Sequence, residues 1–430
     1  MMYQAKLALR SLLYRKKQYV SLFLVCMFGV AVSLASIAVS TGMMRSLRQK
    51  ARIYYGGDFA LTCSSKDARL AIYGYEEKCD AVRDALPPDA VVTPRFALAG
   101  RVGSFYFEGV QALQQTINGI RIENEAPLLS SLFFVEGGVD EMRGCRNGVL
   151  VSAPVARMLG VHVGDEITFQ LVTTGDGFVN TVQIEVRGIF QDSSVFGAYT
   201  SYMDFDFLKE ARGYPENYAN RICVNFPGRK VTERNLHEFY GSLRSVLNMY
   251  RWVDDKDEFF DAESFDSEIW GFIPLSANLN EVEIMGLATD AVTTFIIVIL
   301  TIIIITGIGS TYRVLIMKRI TEIGVYMAVG MKKSSIVGAL LLESLVLLLA
   351  GCLGGIVLAD LFCSVLSLFD FSFIPSFDMF LERGNLCPRP DVIKSVAVIV
   401  SVVAVTLLAV LYATVKSIRI MPVEALAVTE

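Results

Sequence analysis

Residue types that usually carry out catalysis are few in this sequence. Its two histidines, His162 and His237, have no metal-ligating or nucleophilic residue at a useful spacing, and the eight cysteines show no spacing typical of a metal site. The chain also lacks the G-x-x-x-x-G-K-[ST] loop that cradles nucleotide phosphates. In the nearest segment, Gly324 to Lys332, five residues separate the glycines and the lysine is misplaced. We therefore expect no catalytic, metal or cofactor site, and energy input must come from a partner or an ion gradient.

One carboxylate lies where an ionised group is costly. Glu343 falls about two turns inside a long apolar stretch, and a charged side chain in hydrocarbon costs ~2.5 kcal/mol or more. We expect it to face neighbouring helices and to have a polar partner; a tilt that places it at the membrane surface is the alternative. The candidate partners are basic residues near the N-terminus and two serines at the start of the stretch, namely Arg10, Arg15, Lys16, Ser334 and Ser335.

Four apolar stretches dominate the chain. Its 430 residues are 53% hydrophobic and only 19% charged, which disfavours a cytosolic enzyme, and the net charge of −5 argues against a nucleic-acid partner. The stretches, 19–42, 290–312, 334–360 and 392–415, are each long enough to cross ~30 Å of hydrocarbon as a helix. The first could be a cleaved signal peptide, but its apolar part exceeds the ~7–15 residues of a signal core.

The third apolar stretch also contains a pair of small residues. Gly351 and Gly355 form a G-x-x-x-G pattern, which places two glycines on one face of a helix and permits close contact with a second helix. We therefore expect both glycines at a helix–helix interface.

Charge asymmetry predicts how these spans are oriented. Lys and Arg predominate in an amphipathic N-terminal helix predicted over 1–18, in the loop 313–333 and in the tail 416–430, and short basic segments stay in the cytoplasm. Residues 43–289 instead contain 24 basic and 34 acidic residues. We therefore expect both termini in the cytoplasm, and residues 43–289 and the loop 361–391 outside.

The outer segment mixes strand and helix patterns. Its two ends, 43–129 and 219–289, indicate strands and helices, whereas 130–218 is rich in Gly and Val with β alternation and is interpreted as an inserted β-rich subdomain. The predicted fold is therefore a membrane protein with four transmembrane helices and a large α+β extracytoplasmic domain between helix 1 and helix 2. Thr232 is predicted to cap a helix, and Val163-Gly164-Asp165 to form a turn. Four cysteines of this segment would form two disulfides in an oxidising compartment or stay as buried thiols: Cys63, Cys79, Cys145 and Cys223.

The loop after the second span has the most specific pattern in the sequence. It reads YRVLIMKRITEIGVYMAVGMKK, with apolar residues at helical spacing (Ile320, Ile323, Val325 and Met327) between basic flanks. Such a helix suits either a groove on another protein or the lipid headgroups. The loop resembles the FtsX/MacB-type permease family of ABC transporters. The matching positions are Arg319, Glu322-Ile323-Gly324, Ala328 to Gly330, Lys332-Lys333 and Glu343.

Other parts of the chain are similar to the same family. The tail IRIMPVEAL, from Ile418 to Leu426, looks like the family ending, and the segment beginning GVLVSAPVARMLGVHVGDEITF resembles the family's outer domain. One span, a large outer domain and then three spans also follow the family's order. The resemblance therefore covers essentially the whole chain.

The resemblance implies a permease subunit rather than an enzyme. Its loop helix would dock on a cytoplasmic ABC ATPase, which would bind the ATP and Mg, while a second permease copy or paralogue and membrane lipids would surround the spans. The chain would lie in a bacterial inner membrane with its large domain in the periplasm, and ATP-driven movement would pass through the spans to that domain. The residues implied in ATPase coupling are Lys318, Arg319, Glu322, Ile323, Gly324, Ala328 and Gly330.

Three kinds of work fit this family. The architecture is closest to the lipoprotein-releasing permeases LolC/LolE, so we expect release of lipoprotein cargo from the inner membrane. Efflux of drugs, peptides or other cargo with a periplasmic adaptor is the alternative, although the usual efflux version carries an N-terminal ATPase that this sequence lacks. Control of a cell-wall hydrolase usually goes with a smaller outer domain. An unrelated ion-driven carrier would need more spans, and a sensor would need a signalling domain.

Overall fold

The chain divides into two compact units. The computed structural model describes residues 16–66, 68–175, 177–262, 265–374 and 376–417, so most of the predicted N-terminal helix and nearly all of the tail lie outside the described residues. One unit, here the helical unit, contains the chain up to Met43, Leu287–Phe369 and the chain from Leu386. The other, here the sheet unit, contains Met44–Gly286 and Asp370–Asn385.

The described residues form twelve α-helices, of which four are long. In chain order the helices are α1 (Lys16–Tyr55), α2 (Tyr75–Ala85), α3 (Ile122–Leu129), α4 (Ala153–Leu159), α5 (Phe205–Arg212), α6 (Glu233–Leu243), α7 (Asp257–Phe260), α8 (Leu275–Asn278), α9 (Asn280–Lys318), α10 (Ile320–Ala328), α11 (Lys333–Leu366) and α12 (Val392–Ser417).

Four helices are long and apolar enough to cross a membrane by length and composition, as the sequence predicts. They are α1, α9, α11 and α12, and the protein is accordingly a membrane protein. Helix α1 does not stop at residue 42, where the first apolar stretch ends, but continues to Tyr55. Its 40 residues correspond to about 60 Å at 1.5 Å per residue, roughly twice the thickness of the hydrocarbon core.

Close packing of α1 against α11 depends on glycine. A Cβ atom added at Gly351 would lie 2.9 Å from Cys26 Cβ, and one added at Gly355 would lie 2.9 Å from Val30 Cβ. Both distances are too short for a side chain, so the two backbones approach as the G-x-x-x-G pattern permits. The contact continues through apolar side chains of both helices, including the fully buried Cys26 and Val30.

Twelve strands occur in the described residues, all in the sheet unit. They are β1 (Phe59–Ser64), β2 (Ile72–Tyr73), β3 (Val91–Phe107), β4 (Val110–Ile120), β5 (Phe134–Gly137), β6 (Gly148–Ser152), β7 (Glu166–Val172), β8 (Val179–Phe190), β9 (Thr200–Asp204), β10 (Tyr218–Ala219), β11 (Arg221–Asn225) and β12 (Ile269–Pro274). The pattern of α and β elements between the first and second long helices agrees with the predicted mixed class.

Ten of these strands belong to one sheet. Their order is β12-β1-β11-β3-β4-β9-β6-β8-β5, and β7 pairs with both β3 and β8. The pairs β3-β4-β9-β6-β8-β7-β3 therefore form a closed circuit, which leaves those strands no free edge. Strands β5 to β9 come from the predicted insert 130–218, yet they share this sheet with β3 and β4 rather than forming a sheet of their own.

Two local predictions in the sheet unit are confirmed. Thr232 caps α6: its side-chain oxygen accepts from Asn235 N, and Asn235 Oδ1 accepts from Thr232 N. Gly164 has φ +95°, a conformation that glycine adopts without strain, and it turns the chain just before β7 begins at Glu166. Helix α6 ends at Leu243.

The glycine contact gives a first prediction. We expect Gly355→Leu to weaken the folded helical unit by about 1–3 kcal/mol, because the new side chain would overlap Val30. The matched control is Gly338→Leu in the same helix, where an added Cβ meets nothing within 4 Å. Thermal unfolding of the purified chain in mild detergent would measure both. Equal unfolding temperatures for the two variants would contradict the predicted interface.

The thiols of the sheet unit give a second prediction. Burial raises the pKa of Cys63 and of Cys79 to about 12 and that of Cys223 to about 11, whereas Cys145 is only half-buried. Since the thiolate is the reactive form, we expect a short pulse of alkylating reagent at pH 8 to modify Cys145 at least ten times faster than the other three. Peptide mass spectrometry would measure the rates, with denatured protein as the control. Equal native rates, or disulfides among these four, would contradict the burial pattern.

Candidate coupling site

The loop between the second and third long helices folds into the short helix α10. Arg319 precedes its first residue, and the helix ends at Ala328. Gly330 then adopts φ +89°, which allows Gly330 N to donate to Met327 O and Met331 N to donate to Tyr326 O, both at 3.0 Å. Glycine is the residue best suited to this left-handed position after a helix. The sequence therefore sets a sharp end to α10 before α11 begins.

Helix α10 has one buried face and one exposed face. Ile320, Ile323 and Gly324 are buried within the helical unit. Val325 and Val329 are exposed, Val329 by 84%. The predicted apolar stripe is thus divided, because Ile320 and Ile323 pack against the protein's own helices and Val325 faces away from them.

A buried polar cluster lies at the start of α10. Arg319 Nη1 donates to Glu343 Oε2 at 2.9 Å and to Tyr19 OH at 3.3 Å, and Tyr19 OH donates to Glu343 Oε1. All three residues are more than 90% buried. They come from α1, from the junction of α9 and α10, and from α11, so one hydrogen-bonded cluster joins three long helices.

The cluster reaches the exposed side of α10 through a second contact. Arg319 Nε lies 3.5 Å from Glu322 Oε2, and Glu322 is partly exposed. Arg319 therefore contacts two carboxylates, the buried Glu343 and the partly exposed Glu322 of α10. The Arg319 guanidinium thus connects the start of α10 to α11.

The predicted site residues fall into different environments. Lys318, Ala328 and Gly330 are exposed, whereas Arg319, Ile323, Gly324 and Glu343 are buried. The contacts of Glu343 with Arg319 and Tyr19 were not foreseen from the sequence. Of the predicted partners, Arg10 and Arg15 lie outside the described residues. The sequence does have a tyrosine and an arginine at the ends of its apolar stretches. Only the folded helices show that these two residues contact Glu343.

The two histidines and a cavity lie in the sheet unit. His162 Nδ1 lies 3.0 Å from Glu136 Oε1 on the surface, and the His237 ring stacks on Trp252 at 3.9 Å. A cavity of about 570 Å³ is lined by charges of both signs, among them Arg121 and Lys209, each paired with Asp206. Within the described residues, no three His, Cys, Asp or Glu side chains are grouped to hold a metal ion.

A comparison with protein families identifies the domain that contains α10 and the polar cluster. Residues 294–422 match the family described as FtsX-like permease C-terminal, and this segment contains α10, Arg319, Glu343 and both packing glycines. This segment is an FtsX-like permease domain. This confirms the resemblance predicted from the loop and tail motifs, and the family is one of transporter subunits rather than enzymes.

Other comparisons add little to the FtsX-type assignment. A search of curated proteins finds no match. Among solved structures, a domain of a putative permease from Porphyromonas gingivalis is 11% identical and covers 51% of this chain and 91% of its own, with a TM-score of 0.31. The periplasmic region of MacB from Actinobacillus actinomycetemcomitans is 9% identical and covers 54% of this chain and 95% of its own, also with a TM-score of 0.31. TM-scores this low carry no inference about fold or function.

The buried ion pair gives a third prediction. We expect Glu343→Leu to destabilise the helical unit by about 3–5 kcal/mol, because Arg319 would stay buried without its carboxylate. The double variant Arg319→Met/Glu343→Leu should recover most of that loss, since both members of the buried pair are then removed together. Thermal unfolding in detergent would measure both variants.

The control for this prediction is an exposed ion pair in the same unit. Lys394 and Asp290 lie 3.1 Å apart and are about half exposed, so Asp290→Asn should change stability by about 1 kcal/mol or less. A double variant that is as unstable as Glu343→Leu alone would contradict the account of Arg319 as an ion-pair partner.

Proposed function

We propose that this chain is the permease subunit of an ATP-driven ABC transporter, and that α10 binds its cytoplasmic ATPase. The observation that carries the proposal is the exposed apolar surface formed by Val325 of α10 and by Val329 directly after it, next to the exposed Lys332 and Lys333 in an FtsX-like permease domain. An apolar helix face with a basic border suits a groove on a protein partner. Such a partner would supply the ATP and Mg.

The proposed location follows from charge. Basic residues predominate in the loop that contains α10, whereas residues 43–289 carry ten more acidic than basic residues. The positive-inside rule therefore supports an orientation with both termini and α10 in the cytoplasm and the sheet unit on the other side. For the membrane itself we propose a bacterial inner membrane, so that the sheet unit lies in the periplasm. A second permease copy or paralogue and lipids would cover the exposed apolar sides of the long helices.

The polar cluster is the proposed route of movement. A shift of α10 on ATP-driven closure of the ATPase would pull Arg319, and Arg319 contacts both Glu343 of α11 and Tyr19 of α1. Helix α1 continues from Tyr19 to Tyr55, and its last twelve residues belong to the sheet unit. We propose that α1 carries the movement of α10 to the sheet unit, which then does the work outside the membrane.

The proposed work is release of lipoproteins from the membrane. It is supported by the size of the sheet unit, whose main segment runs from Met44 to Gly286, and by the order of one long helix, a large unit and three long helices. A large unit at the membrane surface could hold an acylated protein while its lipid leaves the bilayer. Efflux with a periplasmic adaptor would use the same membrane architecture. The proteins that bind to the chain distinguish efflux from lipoprotein release.

Coupling gives a fourth prediction. We expect Glu322→Arg to reduce ATP-dependent transport at least ten-fold while the chain stays folded and inserted, because a second cation would face Arg319 where an ion pair now lies. Gly324→Pro should have the same effect, since proline lacks the N–H that α10 needs there. Transport in proteoliposomes with the ATPase would measure this. Normal transport by both variants would contradict a coupling role for α10.

The cargo is tested by what purifies with the chain. Mild-detergent affinity purification followed by mass spectrometry should recover an ATPase, a second and different four-span permease, and acylated proteins. Recovery of an ATPase with only this chain and a periplasmic adaptor would replace lipoprotein release with efflux. Recovery of no ATPase in any detergent would contradict the permease proposal itself.

A further inference from the structure

The C-terminal end of α1 lies in the sheet unit and is capped by residues from distant parts of the chain. The last four carbonyl groups of a helix have no partner within the helix and need other donors. Here the first of the four, Arg52 O, accepts from Gly56 N at 3.1 Å and from Gly57 N at 2.8 Å. The last, Tyr55 O, accepts from the Cys223 thiol of β11 at 3.7 Å.

The two middle carbonyls are capped by one buried guanidinium. Arg95 of β3 donates from Nη2 to Ile53 O at 3.1 Å and from Nη1 to Tyr54 O at 3.0 Å. The remaining side of the same group forms a two-pronged ion pair with Glu125 of α3, in which Arg95 Nε lies 2.9 Å from Glu125 Oε1. Arg95 is fully buried and Glu125 is 2% exposed. The positive charge also lies at the negative end of the helix dipole.

A second buried anchor holds the same end of α1. Tyr54 OH donates to Asp192 Oδ2 at 2.6 Å, and Lys50 Nζ lies 3.2 Å from the same oxygen. Asp192 follows β8 and is fully buried, and its other oxygen accepts from Ser194 N at 2.8 Å. The end of α1 is thus bonded to the neighbouring strands β3 and β11 and to the segment after β8.

Stability alone does not account for this arrangement. A buried ion pair gains little over well-packed apolar side chains of the same volume, because both charges must be desolvated. What apolar side chains cannot supply is a set of donors aimed at two particular helix carbonyls. The Arg95–Glu125 pair therefore fixes where the helix end lies on the sheet, and the helix cannot slide without leaving buried charge and carbonyls unpaired.

We propose that Arg95, held by Glu125, is a positioning residue that joins the end of α1 to the sheet, so that movement of α1 becomes movement of the sheet unit. This rests on the proposed function for the source of the movement, but the joint itself lies wholly within the sheet unit. Without it, α1 would move relative to the sheet and ATP hydrolysis would continue without productive transport.

The experiment measures the joint directly. Spin labels at the exposed Gln49 of α1 and Gln115 of β4 report the distance between the helix end and the sheet in the full chain. We expect one narrow distance distribution in the otherwise unchanged protein. In the variant Arg95→Met/Glu125→Leu, which removes both charges and keeps the volume, we expect a distribution at least twice as broad. Fluorescence of the buried Trp270 should remain unchanged, as a test that the sheet is still folded.

Two further variants separate positioning from ion pairing. The exchange Arg95→Glu/Glu125→Arg keeps a charge pair but places a carboxylate against Ile53 O and Tyr54 O, so we expect broadening there too. Arg95→Lys keeps a donor and a charge without the forked geometry, and should give an intermediate width with partial recovery of transport. The matched control, Arg187→Met, breaks a pair with Glu185 on β8 and should leave the distribution narrow.

The possible outcomes test the Arg95 joint separately from the proposed function. Broadening in both double variants, with transport per ATP reduced at least ten-fold, supports the joint. A narrow distribution in a folded Arg95→Met/Glu125→Leu chain would overturn it, as would full recovery by the exchanged pair. If the unchanged protein binds no ATPase and transports nothing with ATP, the proposed function fails while the distance measurement still decides the joint. If the double variants do not fold, the Arg95→Lys variant tests the joint through the width of its distance distribution and through its transport activity.

Discussion

A charged side chain buried in this protein must find its partner inside the protein, and that constraint organises both of its units. In the helical unit, Glu343 is balanced by Arg319 and hydrogen-bonded to Tyr19. Because these residues come from different helices, neutralising one carboxylate brings α1, α10 and α11 together. In the sheet unit, Glu125 balances Arg95 in the same way. The charge pairs therefore fix positions, while the apolar contacts around them supply most of the packing energy.

The two pairs lie at positions that suit a lever. Arg319 precedes α10, whose exposed face is apolar with lysines beside it, and Tyr19 lies near the start of α1. Arg95 caps the other end of α1. Helix α1, 40 residues in all, contains both points and packs closely on α11 at two glycines. A long helix with a buried polar contact near each end transmits displacement better than it opens a path for solutes, which is the kind of work we propose for this protein and its FtsX-like permease domain.

Local patterns predicted much of this fold, and long-range contacts account for the remainder. Apolar stretches of ~20 residues indicated four helices, and Thr232 and Gly164 carried turn and cap signals that operate over a few residues. The pattern could not show that α1 continues to Tyr55, that β3 is one strand of 17 residues, or that β7 closes a circuit with β3. Likewise, helical periodicity identified the apolar stripe of α10 but not which part of it faces the protein. The partners of Glu343 and Arg95 depend on chain segments that meet only after folding.

The most direct test of the account is photocrosslinking from α10. A photoreactive amino acid at Val329, which is 84% exposed, should form a covalent adduct with the ATPase in the purified complex. The same amino acid at Leu353, which is 65% exposed within the apolar part of α11, should react with lipid or detergent instead. An ATPase adduct at Val329 and none at Leu353 is the predicted result. A complex that contains the ATPase but gives no adduct at Val329, or equal adducts at both positions, would contradict the coupling role of α10.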